Sequence, residues 1–69
     1  MLMKRSFSLS GHRTSVALEE EFWRVLEQEA QRSGGSLSAF VARIDAARGV
    51  RPLASALRLA ALAAAKSRA

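Results

Sequence analysis

Cysteine and tyrosine are absent from this 69-residue sequence, and histidine, proline and tryptophan occur once each. Without cysteine there is neither a disulfide nor a thiolate zinc centre to stabilise a small fold. His12 alone cannot build a metal site, so no metal or other cofactor is expected. No run approaches the ~18 consecutive apolar residues of a membrane span, which excludes a bilayer-crossing role for this stretch. A chain this short buries only about 60% of its unfolded surface and is marginal alone. With staples and metals excluded, oligomerisation is the ordinary remedy left. The lack of cysteine also fits a reducing cytosol.

Acidic residues are missing from both ends. All six (Glu19, Glu20, Glu21, Glu27, Glu29 and Asp45) lie in the middle, while Lys4, Arg5 and Arg13 precede them and Arg51, Arg58, Lys66 and Arg68 follow. The net charge of +5 is therefore concentrated at the two ends. Basic flanks around a near-neutral centre suggest a polyanionic partner, with nucleic acid first. The acid-free opening, with its arginines and serines, shares its composition with mitochondrial presequences. Near the end of that opening the apolar residues alternate instead of recurring at helical spacing, which argues against that reading.

Residues 1–10 show no consistent period and read as a flexible basic arm, ended by Gly11. From His12 the pattern alternates. Val16 and Leu18 must face inward, with Thr14 compatible, which leaves Arg13, Ser15 and Ala17 outward. No second strand is evident along the chain, and a lone strand cannot satisfy its own backbone. Its partner is expected from another copy. Glu19–Glu21 suit a helix's first turn, and Phe22, Trp23, Val25, Leu26 and Ala30 follow at helical spacing as core candidates. "SGG" at 33–35 ends that helix, with Gly34 placed for a left-handed cap. Ser36 is a good N-cap for a second helix striped by Phe40, Val41, Ile44 and Ala47 and closed by Gly49. Pro52 then opens a third, Ala- and Leu-rich helix with Leu53, Leu57, Ala60, Ala61 and Ala64 along one side. Asp45 suits an i,i+3 pair with Arg48, or a cap or brace for the third helix, and a structural role is expected of it. No internal repeat is evident. The serines and one histidine form no catalytic constellation, so an enzyme is not expected.

The stretch "RTSVALEEEFWRVLEQEAQRSGGSLSAFVARI" resembles the ribbon-helix-helix superfamily, the MetJ/Arc class of DNA-binding proteins. "GHRTSVALE", "IDAARG" and "LASALRL" are further similar to short bacterial members with a C-terminal extension. The resemblance covers residues 12 to about 48. It implies a mostly α fold with one short strand, assembled as an intertwined homodimer. The dimer's intermolecular two-stranded antiparallel ribbon would enter the major groove of double-stranded DNA. Residues 11–49 would be that domain, 1–10 the arm and 50–69 a C-terminal helical extension.

By pattern and by resemblance, Arg13, Ser15 and Ala17 face the bases. Arg13 would pair bidentately with guanine, Ser15 would donate or accept, and Ala17 would touch a thymine methyl. The amides of Ser36, Leu37 and Ser38 would clamp phosphate, with Lys4 and Arg5 lying along the backbone as an arm. The implied function is a sequence-specific, homodimeric transcriptional repressor of the bacterial cytoplasm, associated with the nucleoid when bound. An antitoxin whose third helix holds a toxin is the alternative. A higher oligomer on DNA and a protein partner at the third helix stay open.

Overall fold

The computed structural model describes residues 1–67; Arg68, counted above among the terminal cations, lies outside them. The element order is β1 (Leu2–Leu9), β2 (His12–Glu19), α1 (Glu20–Arg32), α2 (Leu37–Ala47) and α3 (Leu53–Ser67). The three helices and the alternating strand thus stand where the sequence pattern puts them.

The opening segment corrects two expectations. Residues 2–9 form a strand where a flexible arm was expected, and β2 has its antiparallel partner within the same chain. The fold therefore has two strands instead of one, paired as a hairpin within the chain. Leu9 pairs with His12 across a two-residue turn in which Ser10 (φ 52°) and Gly11 (φ 79°) both adopt positive φ. That geometry matches the right-handed twist of the strands, and glycine adopts it without steric cost.

β1 hides its period because Arg5 sits on its inward face. The register places Met3, Arg5, Phe7 and Leu9 opposite Leu18, Val16, Thr14 and His12. Of these, Phe7, Leu9, Val16 and Leu18 are buried. A charged residue in the middle of an otherwise apolar row breaks the alternation read from sequence. Its neighbours make the position tolerable: Arg5 donates to Glu27 at 2.8 Å and lies 5.2 Å from the Trp23 ring centroid.

The inner face of the ribbon packs on Trp23 and Leu26 of α1, Val41 of α2, and Leu53, Leu57 and Ala61 of α3. Leu18, Leu26, Val41 and Leu57 are fully inaccessible. Trp23 unites these layers. Its ring lies 5.9 Å from that of Phe7, and its Nε1–H donates to the Met3 carbonyl at 2.7 Å. Phe22, expected in the core with it, is half-buried at the edge.

The helix ends follow their residues. Gly34 (φ 78°) terminates α1, with its N–H bonded to Gln31 O and that of Gly35 to Ala30 O. These two bonds form a Schellman motif, which satisfies carbonyls the helix would otherwise leave open. Ser36 caps α2 by accepting from the Ala39 N–H at 3.1 Å. Pro52 stands just before α3, its carbonyl accepting from Ala56, so it holds the cap position and not the first turn. Among the described residues, no helix is long and apolar enough to cross a membrane.

Two substitutions check this packing by thermal or urea unfolding. Trp23→Phe keeps a ring but removes the donor to Met3, and is expected to lose about 1 kcal/mol. Gly34→Ala places a Cβ in a left-handed conformation and is expected to lose ~1 kcal/mol, with no other contact disturbed.

Candidate nucleic-acid interface

Beyond Leu2 and Glu19, which pair at its far end, the outward face of the ribbon is mostly polar and basic. Alternation along β2 exposes Arg13 and Ser15 and leaves Ala17 half-buried, while Val16 and Leu18 turn inward. This is the division read from the sequence. Antiparallel pairing adds a second row, with Lys4 opposite Ala17, Ser6 opposite Ser15 and Ser8 opposite Arg13. All three added residues are exposed. The Ser6 and Ser15 hydroxyls lie 2.9 Å apart, and Arg13 Nη1 reaches Ser8 Oγ at 3.5 Å. The latter bond is long and weak, so the guanidinium can leave it at little cost.

Lys4 therefore lies on the same face as the expected base-facing residues. Arg5 does not: it turns to the other face, engaged with Trp23 and Glu27. The flexible arm expected to lay Lys4 and Arg5 along phosphates is replaced by a strand that sends them to opposite sides. His12 is exposed beside the turn.

Sequence reasoning also missed a repeat. "KRSFSL" at 4–9 and "RTSVAL" at 13–18 share a cation, a central serine and a final leucine at an offset of nine residues. The register places Ser6 against Ser15, so a half-turn about that pair relates the strands. It exchanges Lys4 with Arg13 and Ser8 with Ala17 on the outer face, and Phe7 with Val16 and Leu9 with Leu18 on the inner one. The signal was present, but it becomes visible only when the two segments are aligned on their serines.

The far end of the ribbon is tied to α3. Arg58 donates through Nε and Nη2 to Glu19 Oε1 at 3.1 and 3.0 Å, and its guanidinium lies 5.7 Å from the Phe22 ring centroid. Glu19, the only acid on the outer face, is thus countered by a cation from beneath. At the second proposed contact, Ser36, Leu37 and Ser38 form the N-terminus of α2. The first N–H groups of any helix lack intrahelical acceptors and favour anions. Asp45 has the structural role expected of it. It accepts from Arg48 Nε at 2.7 Å, and Arg48 Nη1 donates to the Arg51 carbonyl at 2.7 Å, fixing the turn into α3. No group of three or more metal-ligating side chains occurs among the described residues.

A hydrogen bond from its own backbone amide, and then the Arg58 guanidinium, hold the Glu19 carboxyl below its ordinary value of 4.5. A depressed folded-state value means the carboxylate adds stability that is complete above about 4.5 and is lost as pH falls through the lower folded value. Glu19→Gln is expected to flatten this part of the acid limb. Melting temperatures of both proteins between about pH 6 and 3 check it: the gap between them should narrow as the medium is acidified.

A family model described as the ribbon-helix-helix domain matches residues 2–65. No curated protein and no solved structure matches the chain. The match extends through β1 at one end and most of α3 at the other, so hairpin and third helix both fall within it. Domains of this kind belong to DNA-binding transcription regulators and antitoxins and generally engage DNA as dimers. On the strength of that match and of the hairpin and helices that underlie it, this chain belongs to the ribbon-helix-helix domain family.

Proposed function

We propose that this protein is a sequence-specific DNA-binding repressor of the bacterial cytoplasm that inserts its ribbon into the major groove as a homodimer. The observation that supports this most is the two-faced ribbon: one side closes the core while the other exposes Arg13 and Ser15 beside a half-buried Ala17. A major groove about 12 Å wide accepts a two-stranded ribbon. Arg13 would donate two hydrogen bonds to guanine O6 and N7, Ser15 would donate or accept at the next position, and Ala17 would meet a thymine methyl. The N-terminus of α2 at Ser36, Leu37 and Ser38 would hold a phosphate and fix the register. No catalytic step is part of this reading.

The homodimer draws support from apolar surface left on one chain. An open groove of about 380 Å³ between α2 and α3 is lined by Ile44, Ala47, Arg48, Arg51, Ala56 and Leu59. Val50, Leu59 and Leu62 are exposed nearby in sequence. A second copy laid across these residues would remove them from water. With the ribbon closed inside each chain, such a dimer would form through helices.

The antitoxin reading is weakened by α3, which buries Leu53, Ala56, Leu57, Ala61 and Ala64 against its own chain. A toxin-binding extension that depends on this face would first have to leave the core.

Selection from random duplex DNA, run with the wild type and with an Arg13→Ala, Ser15→Ala double variant, tests the proposal. The wild type should enrich a defined site, and the variant should enrich it weakly or with relaxed sequence. Equal, salt-sensitive retention of all sequences by both proteins would contradict base reading and leave only backbone attraction.

A further inference from the structure

We infer that β1 supplies the second half of the base-reading surface, with Lys4, Ser6 and Ser8 as counterparts of Arg13, Ser15 and Ala17. One chain would then hold a complete, quasi-two-fold ribbon. This rests on the DNA-binding reading above and extends it to residues outside the strand to which that reading assigns base contacts.

Three observations carry it. The outer rows of the two strands are interleaved in one face, with Ser6 and Ser15 in hydroxyl contact at its centre. The nine-residue repeat places a cation, a serine and a small residue in each row, related by the half-turn through that serine pair. The same half-turn preserves the buried side, where Phe7 and Leu9 correspond to Val16 and Leu18. A decorative solubilising strand would need polar residues outward, but not in this order. The two cations stand at opposite ends of the face, on different strands.

Geometry sets the expected footprint. Lys4 and Arg13 are four ladder positions apart, which is about 13 Å along the ribbon. Base pairs rise 3.4 Å each, so the two cations span about four steps. Both suit a guanine acceptor pair, Arg13 as a fork and Lys4 as a single charge. The two-fold is imperfect, because lysine replaces arginine and Ser8 replaces alanine. A ribbon built this way favours a short near-palindromic core whose two ends differ in stringency, the sharper end belonging to Arg13.

The test uses the full chain and the duplex it enriches from random DNA, with single base-pair changes across that duplex. Affinities are measured by fluorescence anisotropy for wild type, Arg13→Ala, Lys4→Ala and Lys4→Arg, and melting curves confirm that these exposed substitutions leave the fold intact. Lys4→Ala is expected to lose about tenfold discrimination at one base pair. That base pair should lie about four steps from the one Arg13→Ala relaxes. Lys4→Arg should restore or sharpen it. A uniform loss by Lys4→Ala over all duplexes, with a shallower salt dependence and unchanged base preference, would make Lys4 a phosphate contact and overturn the inference while leaving Arg13 as a reader. Absence of any preference in the wild type would overturn the DNA-reading proposal itself, and this inference with it.

Discussion

A strand without a neighbour leaves a row of amides and carbonyls that water must serve, and it cannot lay one face on a core without losing that water. Pairing Leu2–Leu9 with His12–Glu19 removes this conflict on the inner edges of both strands. Everything else in the molecule depends on that pairing. It turns two marginal segments into a platform with one face apolar enough to close the core and another polar enough to meet solvent. The turn at Ser10 and Gly11 sets the register, and a slip by one residue would put Phe7 and Leu9 on the opposite face from Val16 and Leu18, so that one pair would leave the core.

The hairpin would be weak alone, since two strands in water have little to hold them. Trp23 supplies the link to the helices. Its ring packs against Phe7, its N–H donates to the Met3 carbonyl, and the Arg5 guanidinium, paired with Glu27, lies over the ring. At the opposite strand, Glu19 ends β2, caps α1 by position and receives Arg58 from α3. Each strand is therefore anchored to a different helix. A reading surface must hold its side chains in fixed spacing, and this double anchoring gives the outer face of the ribbon a fixed base to stand on.

Much of this was legible in the residues. The three helices follow from their apolar stripes and stop signals, and Gly34 and Ser36 occupy the caps their chemistry suits. The outward placement of Arg13, Ser15 and Ala17 follows from Val16 and Leu18 alone. What escaped was β1, because outward Leu2 and inward Arg5 both break its alternation. Arg5 occupies an inward position that only a tertiary partner can make favourable, and those partners, Trp23 and Glu27, stand about twenty residues away. Local period cannot register such a contact. Taking 1–10 as a flexible arm also assigned Lys4 and Arg5 one common role, although neighbouring residues in a strand face opposite ways. The expectation that a partner strand had to come from another copy followed from the missing one. Phe22, expected in the core, is drawn to the rim, where Arg58 lies over its ring.

The fold rests on β1 and β2 pairing within one chain. An isotope-filtered NMR experiment on an equimolar, co-refolded mixture of labelled and unlabelled protein reads this directly through contacts between the backbones of Ser6 and Ser15. With the hairpin closed inside each chain, these cross-strand contacts arise only within labelled chains and are missing from the filtered, interchain spectrum. Strong Ser6–Ser15 contacts in the interchain spectrum would show the strands exchanged between copies and would contradict that closure.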